Sequence, residues 1–234
     1  YFMEMGCGKS KVLIDNMAWL YEEGEIDTAV IVAPKGVYRN WVLKEIPIHL
    51  PDRIEHSLIT WRASANKAQK KELEEAATMG GSNGLRILVV NVEAFATEKV
   101  MRYLRSFLHD SNFLLTVDES TTIKNPKAKR TKQLTAVGKA ATYKRILTGS
   151  PVTKSPMDLY AQCAFLGDDT LGFTNYYAYQ NRYAVTRRQR MGAHTFEQIV
   201  GYRNMTELAG KLKGFSSRVL KKDCLDLPEK TYSA

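Results

Sequence analysis

The sequence predicts an α/β fold: a doubly wound domain with a central, mostly parallel sheet and helices on both faces. Three observations carry that expectation. Short apolar runs alternate with helix-length stretches over the first two-thirds of the chain, the order that builds a sheet from strand–helix–strand crossovers. Several runs are rich in Val, Ile and Leu without polar alternation, as strands covered on both faces must be. A glycine-rich turn stands between a short apolar start and the first helical stretch, where such folds place a ligand loop.

The elements follow in order. After the turn, Ser10–Glu23 sets Leu13, Met17 and Leu20 on one helical face, with Gly24 as the C-cap. Strands are expected at Thr28–Ala33, Ser57–Trp61, Arg86–Val92, Phe113–Val117 and Arg145–Thr148. Asn66–Ala77 is Lys/Glu-rich and reads as a surface helix, followed by a flexible loop at Gly80–Gly84. Glu98–His109 and Pro126–Ala140 are further helices. The character changes after Leu166: residues 167–204 are rich in Tyr, Phe and Arg and lack strand-like runs, so a helical C-terminal extension is expected. Its aromatics, Phe173, Tyr176, Tyr177, Tyr179 and Tyr183, read as core rather than as a base-stacking platform, and Arg187, Arg188 and Arg190 follow them. An amphipathic helix at Thr206–Lys213 and a stop at Leu227-Pro228 close the pattern.

Composition narrows the function classes. The 234 residues suffice for a sizeable core, and 44% hydrophobic with 25% charged residues argues against a disordered chain. No apolar run reaches the roughly 18 residues of a spanning helix, so no membrane partner is expected. With 34 Lys+Arg against 25 Asp+Glu the net charge is +9, which suits an anionic partner as readily as a merely soluble surface. Cys7, Cys163 and Cys224 make no CxxC pair, and the four histidines are scattered; neither a zinc site nor a disulfide framework is expected. The opening has no signal-peptide pattern, so an intracellular location is expected, cytoplasmic if the source is a bacterium or phage. The chain does not begin with Met and enters a motif almost at once, so its natural start is expected upstream.

Two motifs carry chemistry. In Glu4-Met5-Gly6-Cys7-Gly8-Lys9-Ser10, glycines let backbone N–H groups curl around phosphate oxygens, and the helix start adds partial positive charge. There Met5 to Gly8 form the cradle, Lys9 reaches the β- and γ-phosphates, and the Ser10 hydroxyl ligates Mg²⁺. Asn112–Ser120 reads NFLLTVDES, an apolar strand ending in adjacent carboxylates. Asp118 suits Mg²⁺ and Glu119 an attacking water. In Ile146–Pro151 a third strand ends in Thr148, Gly149 and Ser150. These hydroxyls can sit under a γ-phosphate, although the same residues make an ordinary strand-to-turn signal.

Together these residues resemble the Snf-type branch of the superfamily-2 helicases and DNA translocases, the chromatin-remodeller-like ATPases. Glu4–Ser10 is similar to EMGxGK[ST]. Ile31-Val32-Ala33-Pro34-Lys35 with Asn40-Trp41 resembles cPxxLxxNW, and Val89–Glu93 stands where the family's next strand ends. Asp118-Glu119 before Ile123-Lys124-Asn125 resembles DExxxxIKN. Leu147–Pro151 with Leu159-Tyr160 and Phe165-Leu166 resembles the LTGTP segment, and Arg218 through Lys230 the RRxKxxxxxxLPxK segment. Thr121 stands where the family has His, Lys154 where it has Asn, and Met3 where it has an acid. Ser10, Ser120 and Ser150 replace Thr, Ala and Thr.

The resemblance implies a RecA-like P-loop domain at 1–166, leading through 167–234 to the junction with an absent second RecA-like domain. It implies ATP and Mg²⁺ as ligands, double-stranded DNA as partner, and ATP-driven translocation, with Thr148, Gly149 and Ser150 coupling nucleotide state to movement. Nucleic-acid contacts are implied at Lys35, Gly36, Asn40, Asn91 and Lys124, while the basic run Lys124–Lys132 reads equally as a solvated helix face. Without its partner domain, the chain is expected to bind ATP weakly and turn it over slowly or not at all. Competing readings are another P-loop enzyme, a non-catalytic DNA-binding or scaffold module, and an RNA or single-strand helicase. A GTPase should show NKxD or TKxD; Asn66–Gln69 and Thr131–Leu134 lack the Asp. Intact Lys9, Asp118 and Glu119 argue against a decayed site.

Overall fold

The structure is a computed structural model that describes residues 1–78, 84–191 and 194–224. Of the loop expected at Gly80–Gly84 only Gly84 is described, and Leu227, Pro228, Glu229 and Lys230 lie outside the described residues. In chain order the strands are β1 (Phe2–Met3), β2 (Thr28–Ala33), β3 (His56–Thr60), β4 (Leu85–Asn91), β5 (Phe113–Asp118), β6 (Tyr143–Leu147), β7 (Ala184–Met191), β8 (His194–Tyr202) and β9 (Arg218–Val219). The helices are α1 (Lys9–Glu22), α2 (Tyr38–Asn40), α3 (Ile46–His49), α4 (Lys67–Thr78), α5 (Glu98–Phe107), α6 (Lys129–Gly138), α7 (Leu159–Leu166), α8 (Tyr176–Tyr183), α9 (Met205–Lys213) and α10 (Lys221–Cys224). No described helix is long and apolar enough to cross a membrane.

Five strands form one wholly parallel sheet in the order β3-β4-β2-β5-β6. Its strands lack polar alternation because each face has its own core. From β2, Val30 and Val32 point to the layer holding Val100, Leu104 and Phe107 of α5 and Leu134 of α6. The intervening Ala29, Ile31 and Ala33 point to Leu13, Ile14 and Met17 of α1 and to Trp41 and Ile46. Each fully buried Leu or Ile of this kind stabilises by about 1.5–3 kcal/mol. At the end of α1, Gly24 takes φ +72°, and its N–H bonds the Tyr21 carbonyl while that of Glu25 bonds Leu20. This left-handed stop is the one expected from the sequence.

Two regions differ from expectation. Residues 38–49 are helical, running α2 into a π turn at Trp41–Glu45 and then α3. Pro47 hides this run in the sequence, because proline lacks the N–H that a helix interior uses; it directly follows the π turn at Trp41–Glu45. The helical reading of 167–204 is corrected: among the described residues only α8 is a helix there, and β7 and β8 form an antiparallel two-stranded ribbon. Almost every ribbon residue is exposed, so neither face needs apolar residues and the period-2 signal is missing. Of the aromatic residues just before it, Tyr179 and Tyr183 are fully buried among Met157, Leu159, Cys163 and Leu208 and Phe173 and Tyr176 pack against that cluster, as expected, but Tyr177 is exposed at the surface and not core.

The chain then returns to the sheet. β9 pairs in parallel with β1, and Phe2 bridges Thr148 at the end of β6. β1 thus continues the sheet beyond β6 and delivers the glycine turn beside the ends of β5 and β6.

Candidate functional site

The turn Glu4–Gly8 leaves β1 and enters α1 through two left-handed residues, Gly6 (φ +89°) and Gly8 (φ +81°). Any residue with a Cβ is strained there. A Cβ at Gly8 would meet nothing within 4 Å, so the space above the turn is open. The start of α1 has no side-chain cap and no acid in its first turn, which leaves its N–H groups for an external anion. Lys9 donates to the Met3 and Glu4 carbonyls (3.0 and 3.3 Å), which holds its ammonium over the mouth of the turn. Met5 is exposed, while Cys7, Lys9 and Ser10 are partly covered. The turn is also braced from the far end of the chain. The Lys221 N–H donates to Glu4 Oε2 at 2.6 Å.

Asp118 ends β5 and is 7% exposed. Trp41 Nε1 donates to one of its carboxylate oxygens (2.9 Å) and the Glu119 N–H to the other (2.9 Å). Burial raises the Asp118 pKa and neighbouring Glu119 adds to the rise, while the Trp41 bond and the Lys9 charge oppose it. Lys9 and Asp118, 109 positions apart, therefore share one electrostatic environment. Trp41 escaped sequence reasoning as a site residue. Its signal, a Trp following Asn40 in a polar segment, says nothing of a partner 77 positions away.

Glu119 sits at φ +47°, ψ +60°. This is left-handed backbone for a side chain that dislikes it, and such strain is of order 1–3 kcal/mol and gathers at functional sites. The conformation brings Glu119 Oε2 to Thr148 Oγ1 (3.3 Å), which in turn accepts the Ser150 N–H (3.2 Å). Gly149 lies against the glycine turn; a Cβ there would stand 3.6 Å from the Met3 carbonyl and the Met5 nitrogen. The structure thus brings together all three motifs.

A second layer joins the motif loops from behind. Ser120 donates to Gln162 (2.7 Å), and the Gln162 amide donates to the Pro151 and Asp158 carbonyls (2.8 and 2.7 Å). Asp158 accepts from the Thr153 N–H, the Thr153 hydroxyl and the Lys154 N–H. Burial alone would raise its pKa, but these bonds and Lys124 hold it down at about 2.

The five residues implied as nucleic-acid contacts divide in two. Lys35, Gly36 and Asn40 are exposed after the end of β2. Asn91 caps the following turn, its amide oxygen accepting the Ala94 N–H at 2.8 Å. Lys124 is turned inward to Thr153 and to Asp158 (3.5 Å); it staples two loops.

A positioning role for Trp41 gives a checkable outcome. Trp41→Phe removes the N–H that stabilises ionised Asp118, so the Asp118 pKa rises further. Any activity that needs ionised Asp118 should fall on the order of tenfold, as for loss of a hydrogen bond to a charged group. The acidic limb of the pH–rate profile should move to higher pH. A uniform loss with an unmoved limb would show that Trp41 only packs.

Comparison with known proteins agrees with this geometry. Residues 2–233 match the family model described as SNF2-related domain. Protein CHROMATIN REMODELING 24 of Arabidopsis thaliana is 23% identical over 222 residues, covering 94% of this chain and 20% of that protein. A Caenorhabditis elegans homolog of SWI/SNF-related matrix-associated actin-dependent regulator of chromatin subfamily A-like protein 1 is 37% identical over 115 residues, 48% of this chain and 16% of the relative. The chain spans about a fifth of the length of such relatives. Among solved structures, the Sulfolobus solfataricus SWI2/SNF2 ATPase core in complex with dsDNA superposes with TM-score 0.67 at 20% identity, over 96% of this chain and 41% of that one. That likeness establishes the RecA-like fold.

Proposed function

This chain belongs to the SNF2-related domain family, as a helicase-like superfamily-2 ATPase motor domain, and from that premise we propose that it binds and hydrolyses ATP to drive movement along double-stranded DNA. The observation that carries the proposal is the convergence of the three motif loops, with the Lys9 charge acting on Asp118 and Glu119 touching Thr148.

The residues present fit the ligands. The backbone of Met5 to Gly8 and the uncapped start of α1 would hold the phosphate chain, with Lys9 beside its outer phosphates. Ser10 and Asp118 would hold Mg²⁺, which when bound offsets phosphate charge during transfer. Asp118 is predisposed to this: a buried carboxylate with a raised pKa is stabilised by a neighbouring cation. Glu119 orients the attacking water and accepts its proton. Thr148, hydrogen-bonded to that carboxylate, senses whether the γ-phosphate is present and passes this on through Gly149 and Ser150. Lys35, Gly36 and Asn40 contact the DNA backbone. Asn91 and Lys124 are already engaged in capping and stapling. A second RecA-like domain completes the site, which makes the chain a slow ATPase by itself. An intracellular setting accords with ATP and DNA as ligands.

Polymer choice separates this reading from the alternatives. ATP turnover by a protein carrying both motor domains should be stimulated most by duplex DNA, less by single-stranded DNA and least by RNA. The reverse order would make it a single-strand or RNA enzyme.

A further inference from the structure

The β7–β8 ribbon belongs to none of the machinery described above. It is a two-stranded sheet that pairs with no other described strand. Isolated two-stranded ribbons are marginal in water unless something covers a face. Only its base is anchored, where Ala184 and Ile199 pack on the Tyr179–Tyr183 cluster. Beyond the base its residues are exposed.

Its charge is one-sided. Residues 184–202 hold Arg187, Arg188 and Arg190 against a single acid, Glu197. The pairing sets Arg187 opposite Gln198, Arg188 opposite Glu197 and Arg190 opposite Thr195. Strand alternation then puts Arg188 and Arg190 on one face and Arg187 on the other. Met191 (73% exposed) and Phe196 (46%) share the Arg187 face. A flat anionic protein surface would meet only one of these faces. A duplex groove has phosphates on both walls, and its major groove, about 12 Å wide, admits a two-stranded ribbon. Eight residues at about 3.4 Å each give roughly 27 Å, most of one helical turn of the duplex.

We propose that the β7–β8 ribbon is a second nucleic-acid contact, in which Arg187, Arg188 and Arg190 grip the phosphodiester backbone of double-stranded DNA without reading its sequence. The proposal rests on the motor reading above and adds a surface that the motif residues do not reach. The ribbon lies outside the nucleotide site, so it holds the duplex without touching the chemistry.

The test is the salt dependence of binding to a short mixed-sequence DNA duplex, using the full-length protein that contains this chain. Each neutralised phosphate contributes about 0.9 to the slope of log affinity against log salt. A triple Arg→Gln variant at 187, 188 and 190 should lower that slope by up to about 2.7 and weaken binding at least about tenfold at physiological salt. The triple Arg→Lys variant should restore most of the slope, and ATP turnover without DNA should stay at the wild-type rate in both. An unchanged slope in the Gln variant, with wild type binding duplex normally, overturns the ribbon contact alone and leaves its faces to a protein partner. Equal loss in the Lys and Gln variants also overturns it, since the effect would then be on packing. If the wild type binds no duplex at any salt, both this contact and the motor reading fail.

Discussion

Glu119→Gln is expected to leave the proposed ATP binding intact and to stop turnover. The substitution keeps the shape of the side chain and an oxygen for the Thr148 hydroxyl, which now lies 3.3 Å from the carboxylate. In the proposed mechanism it removes only the group that takes the proton of the attacking water. General bases of this kind contribute about 10²- to 10⁴-fold, so turnover in a protein with both motor domains should fall at least about a hundredfold. Equilibrium binding of ATP should change little. The left-handed backbone at Glu119 is set by the turn at Ser120–Ile123, and Gln inherits it, so the thermal midpoint should not move. Loss of ATP binding instead would reassign Glu119 to holding nucleotide.

Lys9→Ala has the larger effect, because it removes a charge that acts twice. Its ammonium stands over the glycine turn and, in the proposed site, counters the negative charge of bound phosphates. Preorganised charges on transferring phosphoryl groups are commonly worth about 10³-fold or more in rate. The same charge opposes the rise that burial and Glu119 impose on the Asp118 pKa, so without it the carboxylate proposed to hold Mg²⁺ is protonated more readily. Hydrolysis should become undetectable and ATP affinity should drop together with it. The folded protein should survive, since Lys9 donates only to the Met3 and Glu4 carbonyls at the rim of the turn. Near-normal turnover in Lys9→Ala would remove residues 4–10 from the phosphate site.

How much of this was legible in sequence follows from where the residues face. β2, β4 and β5 announce themselves because both faces of the sheet are covered, so Val30 and Ile31 are equally apolar though they enter different cores. The glycine turn is legible because Gly6 and Gly8 take backbone angles other residues avoid. The adjacent acids are legible because a charge at the end of an apolar strand needs a reason. What stayed hidden depends on contacts between distant positions. Nothing local pairs Trp41 with Asp118, Ser120 with Gln162, or Lys124 with Asp158. The β7–β8 ribbon stayed hidden for the opposite reason: with both faces in solvent its sequence has no period to read. Asn91 and Lys124, expected as nucleic-acid contacts, also hold a cap and a staple, roles that residue type at a loop start does not reveal.

The central claim is that residues 4–10 and 118–119 form one ATP site that duplex DNA switches on. The measurement that tests it most directly is the steady-state rate of phosphate release by a protein carrying this chain together with a second RecA-like domain, titrated with duplex DNA at saturating Mg²⁺ and ATP. The expected result is a saturable rise of at least about tenfold, absent in both Lys9→Ala and Glu119→Gln. A rate that ignores duplex, or a rise that survives in Lys9→Ala, would contradict it.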